Sequence, residues 1–94
     1  MYVVLLKFAD RERAGQHMDG HNAWLARGFA DGVFLLAGGL QPQAGGAILA
    51  HNTARADLQR RVAEDPYVAE GVVAAEILEI APARTDGRLD FLRA

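Results

Sequence analysis

The segment 2–8, YVVLLKF, is apolar on both of its alternating faces. One face carries aromatic and aliphatic side chains beginning with Tyr2, and the other carries Val3 and Leu5 before it reaches Lys7. A strand that is solvated on one side alternates apolar and polar residues, so this segment predicts a strand covered on both faces. A chain of 94 residues makes a single domain. Its own helices can cover one side of a sheet, and something else must cover the other.

The first helical pattern follows this strand and ends in HNAWLARGFADG. Apolar or small residues recur there at helical spacing, and the Asp31-Gly32 pair supplies a stop signal. The start is less defined, because Gly15 and Gly20 weaken the early turns and Asp19 is itself a candidate N-cap.

The second helical pattern lies in NTARADLQRRVAED, for which Asn52 or Thr53 is the expected N-cap. Pro66 cannot continue a helix, and it pushes the preceding Asp65 out of the α region. The sequence therefore predicts a helix that ends at a carboxylate held in an extended conformation.

Strand patterns cover residues 2–8, 33–40, 47–51 and 72–80, and a turn rich in Pro and Gly at 41–46 makes the middle two a hairpin. The order is β-α-β-β-α-β, which predicts an α+β, ferredoxin-like sandwich with both helices on one face of an antiparallel sheet. The opposite face is left apolar and bare. A patch of that size is typical of an interface, so we expect a homodimer joined through the open face of the sheet.

The predicted domain spans residues 1–82, and residues 83–94 form a C-terminal tail. Leu89, Phe91 and Leu92 are expected to pack this tail against the body or the partner subunit. The alternative interpretation is a loosely ordered terminus.

The composition excludes several classes of protein. The net charge is −2 and basic residues are scattered singly, so there is no footprint for nucleic acid. The absence of cysteine excludes disulfides, thiolate catalysis and cysteine-based zinc sites. The N-terminal apolar run is too short to span a membrane, so we expect no membrane association and a cytoplasmic location.

His21 and Asp65 are the candidate catalytic pair. His21 lies on the inward face of the first helix, and the topology allows the end of the second helix to lie beside it. A carboxylate that holds one ring N–H fixes the imidazole tautomer and leaves the other nitrogen as a base. The alternatives are that His21 is a hydrogen-bonded core residue and that Asp65 caps a local turn.

Three stretches, HNAWL…ADGVFLLAGG, GGAILAHNTARADLQRRVAEDPYV and EGVVAAEILEIAP, resemble the YCII-related (YciI-like) domain family over residues 1–82. The resemblance implies a ferredoxin-like fold of the dimeric α/β-barrel type. It also implies an active-site histidine–aspartate pair, which matches His21 and Asp65. A characterised branch of the family removes chloride from a chlorinated hydroxyquinol, which makes proton abstraction from a small hydroxylated ring a reasonable expectation.

The sequence departs from the family pattern near the histidine. Met18 stands where members usually have an arginine, Asn22 where they have leucine, and Gly39 where a proline is common. Loss of the arginine removes an anion anchor, so an acidic substrate is not expected. His17, one turn before the candidate base, could partly replace that positive charge.

Trp24, Gly38, Tyr67 and His17 are the predicted substrate-binding residues. Gly38 is expected either to leave space for a ligand beside His21 or to permit a bend at the strand end. Core packing is the alternative role for the two aromatic residues. His51 is expected to be a surface residue with no partner.

A metal site is the weaker interpretation of the histidines. His17 and His21 at i, i+4 could form a two-histidine, one-carboxylate set with Asp65. We predict no metal and no cofactor.

Three functions fit these observations. The first is a small homodimeric enzyme of the lyase, dehydrochlorinase or isomerase type that acts on a small molecule. The second is a non-catalytic module that binds a metabolite or assists a partner enzyme, and the third is a cofactor-free monooxygenase or decarboxylase of similar architecture. A catalytic pair predicts His21 and Asp65 in contact beside a cavity. A structural role predicts a closed core there, or Asp65 turned to solvent.

Overall fold

The computed structural model describes residues 1–93. A four-stranded sheet and its helices follow one another along the chain as β1 (Tyr2–Phe8), α1 (Ala14–Ala30), β2 (Phe34–Leu40), β3 (Gly45–Ala50), α2 (Arg55–Ala63), α3 (Pro66–Ala69) and β4 (Val73–Glu79). Two short 3₁₀ helices lie outside this series, at Arg11–Arg13 and Gly87–Arg93.

The strands form one antiparallel sheet in the order β2-β3-β1-β4. The helices pack on one side of it, which confirms the predicted α+β, ferredoxin-like fold. Each predicted strand is present within two residues of its predicted bounds. β1 is central, as its two apolar faces indicate.

The core lies between the sheet and the helices. Val4 of β1 and Ile48 of β3 are opposite each other in the register, and both are buried. The helices supply Trp24 from α1 and Leu58 from α2, which are also buried. Apolar burial of these side chains is what holds the helices against one face, at about 1.5–3 kcal/mol for each large aliphatic residue.

Both helix starts differ from prediction. The 3₁₀ turn leads directly into α1 at Ala14, so Asp19 lies inside the helix and does not cap it. The N-cap of α2 is Ala54, which has no side-chain cap hydrogen bond, so neither Asn52 nor Thr53 holds that position. Asn52 instead adopts a positive φ of 55° in the turn after β3. Asparagine tolerates this left-handed conformation better than most residues.

The prediction for the end of α2 is confirmed. The helix ends at Ala63, and Asp65 is extended, with φ −61° and ψ 123°. Pro66 then begins the short helix α3, because its fixed φ and missing N–H suit the first helical position.

The face of the sheet opposite the helices is mostly apolar, as predicted, with Lys7 and Glu76 as charged exceptions. Val3 of β1 pairs with Leu49 on one side and Leu78 on the other. Leu36 of β2 lies opposite Leu49 of β3. Leu36 is 54% exposed and Leu78 is 43% exposed. The monomer therefore presents a row of aliphatic side chains to solvent.

The C-terminal segment packs against the start of the connection between β3 and α2. The Phe91 ring meets His51 edge-on, with centroids 5.5 Å apart and planes at 71°. The prediction that His51 has no partner is therefore wrong. Residue 94, the end of the predicted tail, lies outside the described residues. Within residues 1–93, no helix is both long and apolar enough to cross a membrane.

Gly28 fixes how closely α1 approaches β2, since a Cβ at this position would overlap the buried Phe34 ring. We expect Gly28→Ala to lower the free energy of unfolding by about 1–3 kcal/mol, the usual cost of overpacking a core. Gly15→Ala is the matched control on the same helix, because its Cβ meets nothing within 4 Å. It should be neutral or stabilise by up to about 1 kcal/mol. Urea denaturation measures both, and equal stability of the two variants would contradict the packing argument.

Candidate active site

His21 and Asp65 are in direct contact. The His21 side chain projects from α1 and is 14% exposed, whereas Asp65, between α2 and α3, is fully buried. Their atoms Nδ1 and Oδ1 lie 2.8 Å apart. A carboxylate oxygen can only accept a hydrogen bond, so Nδ1 carries the proton and donates. Nε2 is then the ring nitrogen left with a free lone pair.

Asp65 also caps α3. Its Oδ1 accepts a second hydrogen bond, from the backbone N–H of Tyr67 at 3.0 Å. The two roles that the sequence left as alternatives, turn cap and histidine partner, are thus performed by a single oxygen atom. The other oxygen, Oδ2, is buried and has no hydrogen-bond partner among the described residues.

A close approach of two helices brings the pair together. A Cβ at Gly20 would lie 3.0 Å from Cγ of Pro66, so only glycine lets α3 settle against α1 without displacement. In the sequence, Gly20 is recognisable only as a residue that weakens a helix. Its position directly before His21 was the one sequence signal of this close approach.

The Tyr67 ring stacks on the His21 imidazole, with centroids 4.0 Å apart and planes at 11°. Burial raises the pKa of Tyr67 above its usual value, and the nearby negative charge of Asp65 raises it further. The phenol is therefore neutral at neutral pH, with its proton available for donation.

Trp24 belongs to the core and does not line the cavity beside His21. Its indole N–H donates to the backbone carbonyl of Arg61 at 2.9 Å, and its ring meets Phe34 edge-on. Packing, the alternative stated for this residue, is what the structure shows. Trp24 still flanks the imidazole, at 5.8 Å between ring centroids.

A cavity of about 330 Å³ lies beside His21. Its α1 side is one helical face, formed by Met18, His21, Asn22 and Leu25. Tyr67 also lines it, and no charged side chain is part of the lining within residues 1–93. The polar side chains that reach this cavity are therefore an imidazole, a carboxamide and a phenol.

The sheet side of the cavity is built from apolar side chains and bare backbone. Glycines of β2 and β3 make one corner of it, namely Gly38, Gly39, Gly45 and Gly46. We call these four residues the glycine corner. Because these glycines have no side chains, they leave space between the sheet and the helices.

Gly38 lines the cavity, as expected, but two other glycines leave the space on the sheet side open. Gly39 pairs with Gly46, which pairs with the buried Leu6, so these two glycines face the helices. Gly38 pairs with Ala47 and faces the open side, and it lines the cavity only through its backbone. A Cβ at position 39 would meet nothing closer than a backbone oxygen at 3.8 Å, so a side chain there would occupy the cavity.

A register shift between Phe34 and Leu36 explains why Gly39, and not Gly38, faces the helices. Strict alternation from the buried Phe34 would place Gly38 on the helix side. The irregularity moves every later residue of β2 to the other face.

His17, on α1, does not line the cavity. No group of three or more His, Asp or Glu side chains is arranged to hold a metal ion in the part of the chain that the structure describes. The two-histidine, one-carboxylate interpretation therefore has no geometric support there.

The family model of the YCII-related domain matches residues 1–81. The chain belongs to this family. A solved structure with a similar fold is 5-chloro-2-hydroxyhydroquinone dehydrochlorinase from Burkholderia phenoliruptrix, in complex with 2,5-dihydroxybenzoquinone. The TM-score is 0.63 at 13% sequence identity, covering 85% of this chain and 93% of that chain. At this identity the likeness shows the fold alone. No curated protein matches the chain in sequence.

The Asp65→Asn variant tests which tautomer His21 adopts. Asn is as good an N-cap as Asp, so α3 should stay formed. Its carboxamide can present either an oxygen or an NH₂ group to Nδ1, so the preference for the Nδ1–H tautomer should weaken. Imidazole ¹⁵N NMR shifts measure this directly. The signals of His17 and His51 serve as internal controls, and an unchanged His21 spectrum would contradict the assignment.

Proposed function

We propose that this protein is a small-molecule enzyme of the lyase or isomerase type, with His21 as general base and acid and Asp65 as the residue that orients it. The observation that carries the proposal is the hydrogen bond of 2.8 Å between the imidazole and a fully buried carboxylate, beside a cavity. A purely structural histidine has no need of an adjoining cavity.

The two ring nitrogens of His21 have different roles in this proposal. Nδ1 is occupied by Asp65, so Nε2 is the nitrogen that meets the substrate. In the proposed reaction Asp65 keeps its hydrogen bond to Nδ1 and so orients the ring while Nε2 gains and loses a proton. Base catalysis of this kind contributes about 10²–10⁴-fold to a rate.

The lining of the cavity defines the substrate class. A volume of about 330 Å³ fits a single ring. The lack of a charged side chain in the described lining, with Met18 at the position of the family arginine, disfavours a carboxylate or phosphate. The bare peptide groups of the glycine corner offer a flat surface. A planar, hydroxylated ring satisfies these constraints, and the dehydrochlorinase of similar fold binds 2,5-dihydroxybenzoquinone.

The proposed reaction begins with transfer of a proton from a ring carbon beside a carbonyl to Nε2 of His21. The electron pair of that C–H bond forms a C=C bond, and the carbonyl oxygen takes up the negative charge. In an elimination, chloride leaves from the neighbouring carbon as C=O re-forms, and the imidazolium then releases its proton to water. In an isomerisation, the imidazolium returns its proton to a different atom. Neither path needs an oxidant or a cofactor.

We also propose that two copies join through the open face of the sheet. The support is the aliphatic row formed by Leu36, Leu49, Val3 and Leu78, which continues across all four strands. A second copy would cover this row and satisfy the requirement that β1 be buried on both faces. A cytoplasmic location, and the absence of nucleic-acid or membrane partners, stay predictions.

A ligand screen tests the proposed reaction. The panel contains 2,5-dihydroxybenzoquinone and chlorinated or unsubstituted hydroxyquinols, with calorimetry for binding and chloride release or absorbance for turnover. We expect the wild type to convert at least one compound, and His21→Gln to lower kcat by about 10²-fold or more while still binding. Binding without turnover by the wild type would support the metabolite-binding module instead. Lack of binding across the panel would exclude the proposed substrate class.

A matched pair of glycine variants tests the cavity itself. Gly39→Val fills the space beside His21 and should abolish ligand binding, whereas Gly87→Val, at a glycine that does not line the cavity and has nothing within 4 Å of its Cβ position, should bind like the wild type. Thermal melts and light scattering confirm that both variants are folded and of equal mass. Equal affinities would place the ligand elsewhere.

A second matched pair tests the dimer. Leu78→Glu puts a charge on the open face and should halve the mass measured by light scattering, because an unpaired charge is costly at an apolar interface. Leu89→Glu is the control, since Leu89 is 44% exposed against 43% for Leu78 but lies in the C-terminal segment. A dimer that survives Leu78→Glu would move the interface to another surface.

A further inference from the structure

Tyr67 has a hydroxyl group without a partner. The residue is only 8% exposed, yet its hydroxyl makes no hydrogen bond within residues 1–93. Buried tyrosine hydroxyls normally have a hydrogen-bond partner. The oxygen is nevertheless not a fully buried unsatisfied atom, because the one such side-chain atom in the described residues is Oδ2 of Asp65. The hydroxyl is therefore accessible, and the surface that Tyr67 lines is the cavity.

The Tyr67 ring is held in a fixed position against the His21 imidazole. Its ring is nearly parallel to the imidazole, at 11° and 4.0 Å between centroids. Its backbone N–H binds the same Asp65 oxygen that holds His21. One carboxylate thus positions both a base and a phenol against a single cavity, which is the preorganisation that catalysis requires.

Removal of a proton from carbon needs a hydrogen-bond donor such as the Tyr67 hydroxyl. When a proton leaves a carbon beside a carbonyl, negative charge develops on the oxygen, and a donor aimed at that oxygen lowers the barrier. Two other side chains could donate. His21 is already the base, and Asn22 is exposed, so water competes for its amide. Tyr67 is the neutral donor of the set, on a ring that is only 8% exposed.

We infer that the Tyr67 hydroxyl is the hydrogen-bond donor that stabilises the oxyanion formed when His21 removes a proton. The inference rests on the proposed function and narrows its substrate to rings that carry an oxygen beside the carbon that loses the proton. As the C–H bond breaks, the proton moves to Nε2 and the electron pair shifts onto the oxygen. The Tyr67 O–H donates to that oxygen until C=O re-forms or the oxygen is protonated. Tyr67 is then a catalytic residue rather than only part of the cavity wall.

The protonation state of Tyr67 agrees with this role. Its pKa is raised, first by burial and second by the charge of Asp65, so the hydroxyl keeps its proton across the neutral range. A donor that lost its proton there would repel the oxyanion.

Tyr67→Phe is the test, because it removes one oxygen and keeps the ring that stacks on His21. With a compound that the wild type converts, we expect kcat to fall about 10²–10³-fold, the usual loss for one oxyanion donor, with little change in KM. Tyr2→Phe is the matched control, since Tyr2 is also 8% exposed but does not line this cavity. It should keep wild-type kcat.

A second readout does not depend on turnover. 4-Nitrophenol serves as the probe, because its phenolate resembles the oxyanion and absorbs visible light. The wild type and Tyr2→Phe should bind the phenolate more tightly than the phenol, so that the pKa of the bound probe falls. Tyr67→Phe should lose that preference by about tenfold or more.

The outcomes separate the inference from the proposed function. Turnover and phenolate preference that survive Tyr67→Phe would overturn the inference and leave His21 as base. Loss of both in Tyr67→Phe alone supports it. A wild type that neither binds the probe nor converts any ring would overturn both.

Discussion

A single buried oxygen atom organises this molecule. Oδ1 of Asp65 accepts hydrogen bonds from the His21 ring and from the Tyr67 backbone, so it ties α1 to the α2–α3 junction. Both bonds depend on Pro66, which holds the carboxylate in an extended conformation, and on Gly20, which lets α3 approach. The cost of burying the carboxylate is offset only in part, since its second oxygen has no partner within residues 1–93. Such a group persists where the surrounding packing determines its place or where its charge has a use.

The sequence predicts most of the fold because the relevant signals are local. The two apolar faces of β1 come from alternation alone, and the extended Asp65 follows from the ring of Pro66. The contact between His21 and Asp65 was predicted by adding topology to these signals. Helix starts were harder, because α1 grows out of a 3₁₀ turn and α2 begins at Ala54 without a side-chain cap. No residue type marks such a start.

Details of the cavity could not be predicted because they depend on tertiary geometry. The register shift in β2 exchanges the faces of Gly38 and Gly39, and no residue in the segment FLLAGG indicates it. Trp24 was a candidate wall residue because its spacing places it near His21. Its role depends on a hydrogen bond to the Arg61 carbonyl on another helix, which spacing does not reveal. The partner of His51 is likewise forty residues away, at Phe91.

The glycine corner makes the sheet unusually thin at one place. Gly39 and Gly46 carry no side chains on the helix side, and Gly38 carries none on the other. A molecule in the cavity and anything resting on the far face are then separated by a single layer of peptide groups. The dipoles of those groups and their small displacements act on both sides at once. A change on the far face therefore has to cross only the thickness of one backbone to reach the cavity.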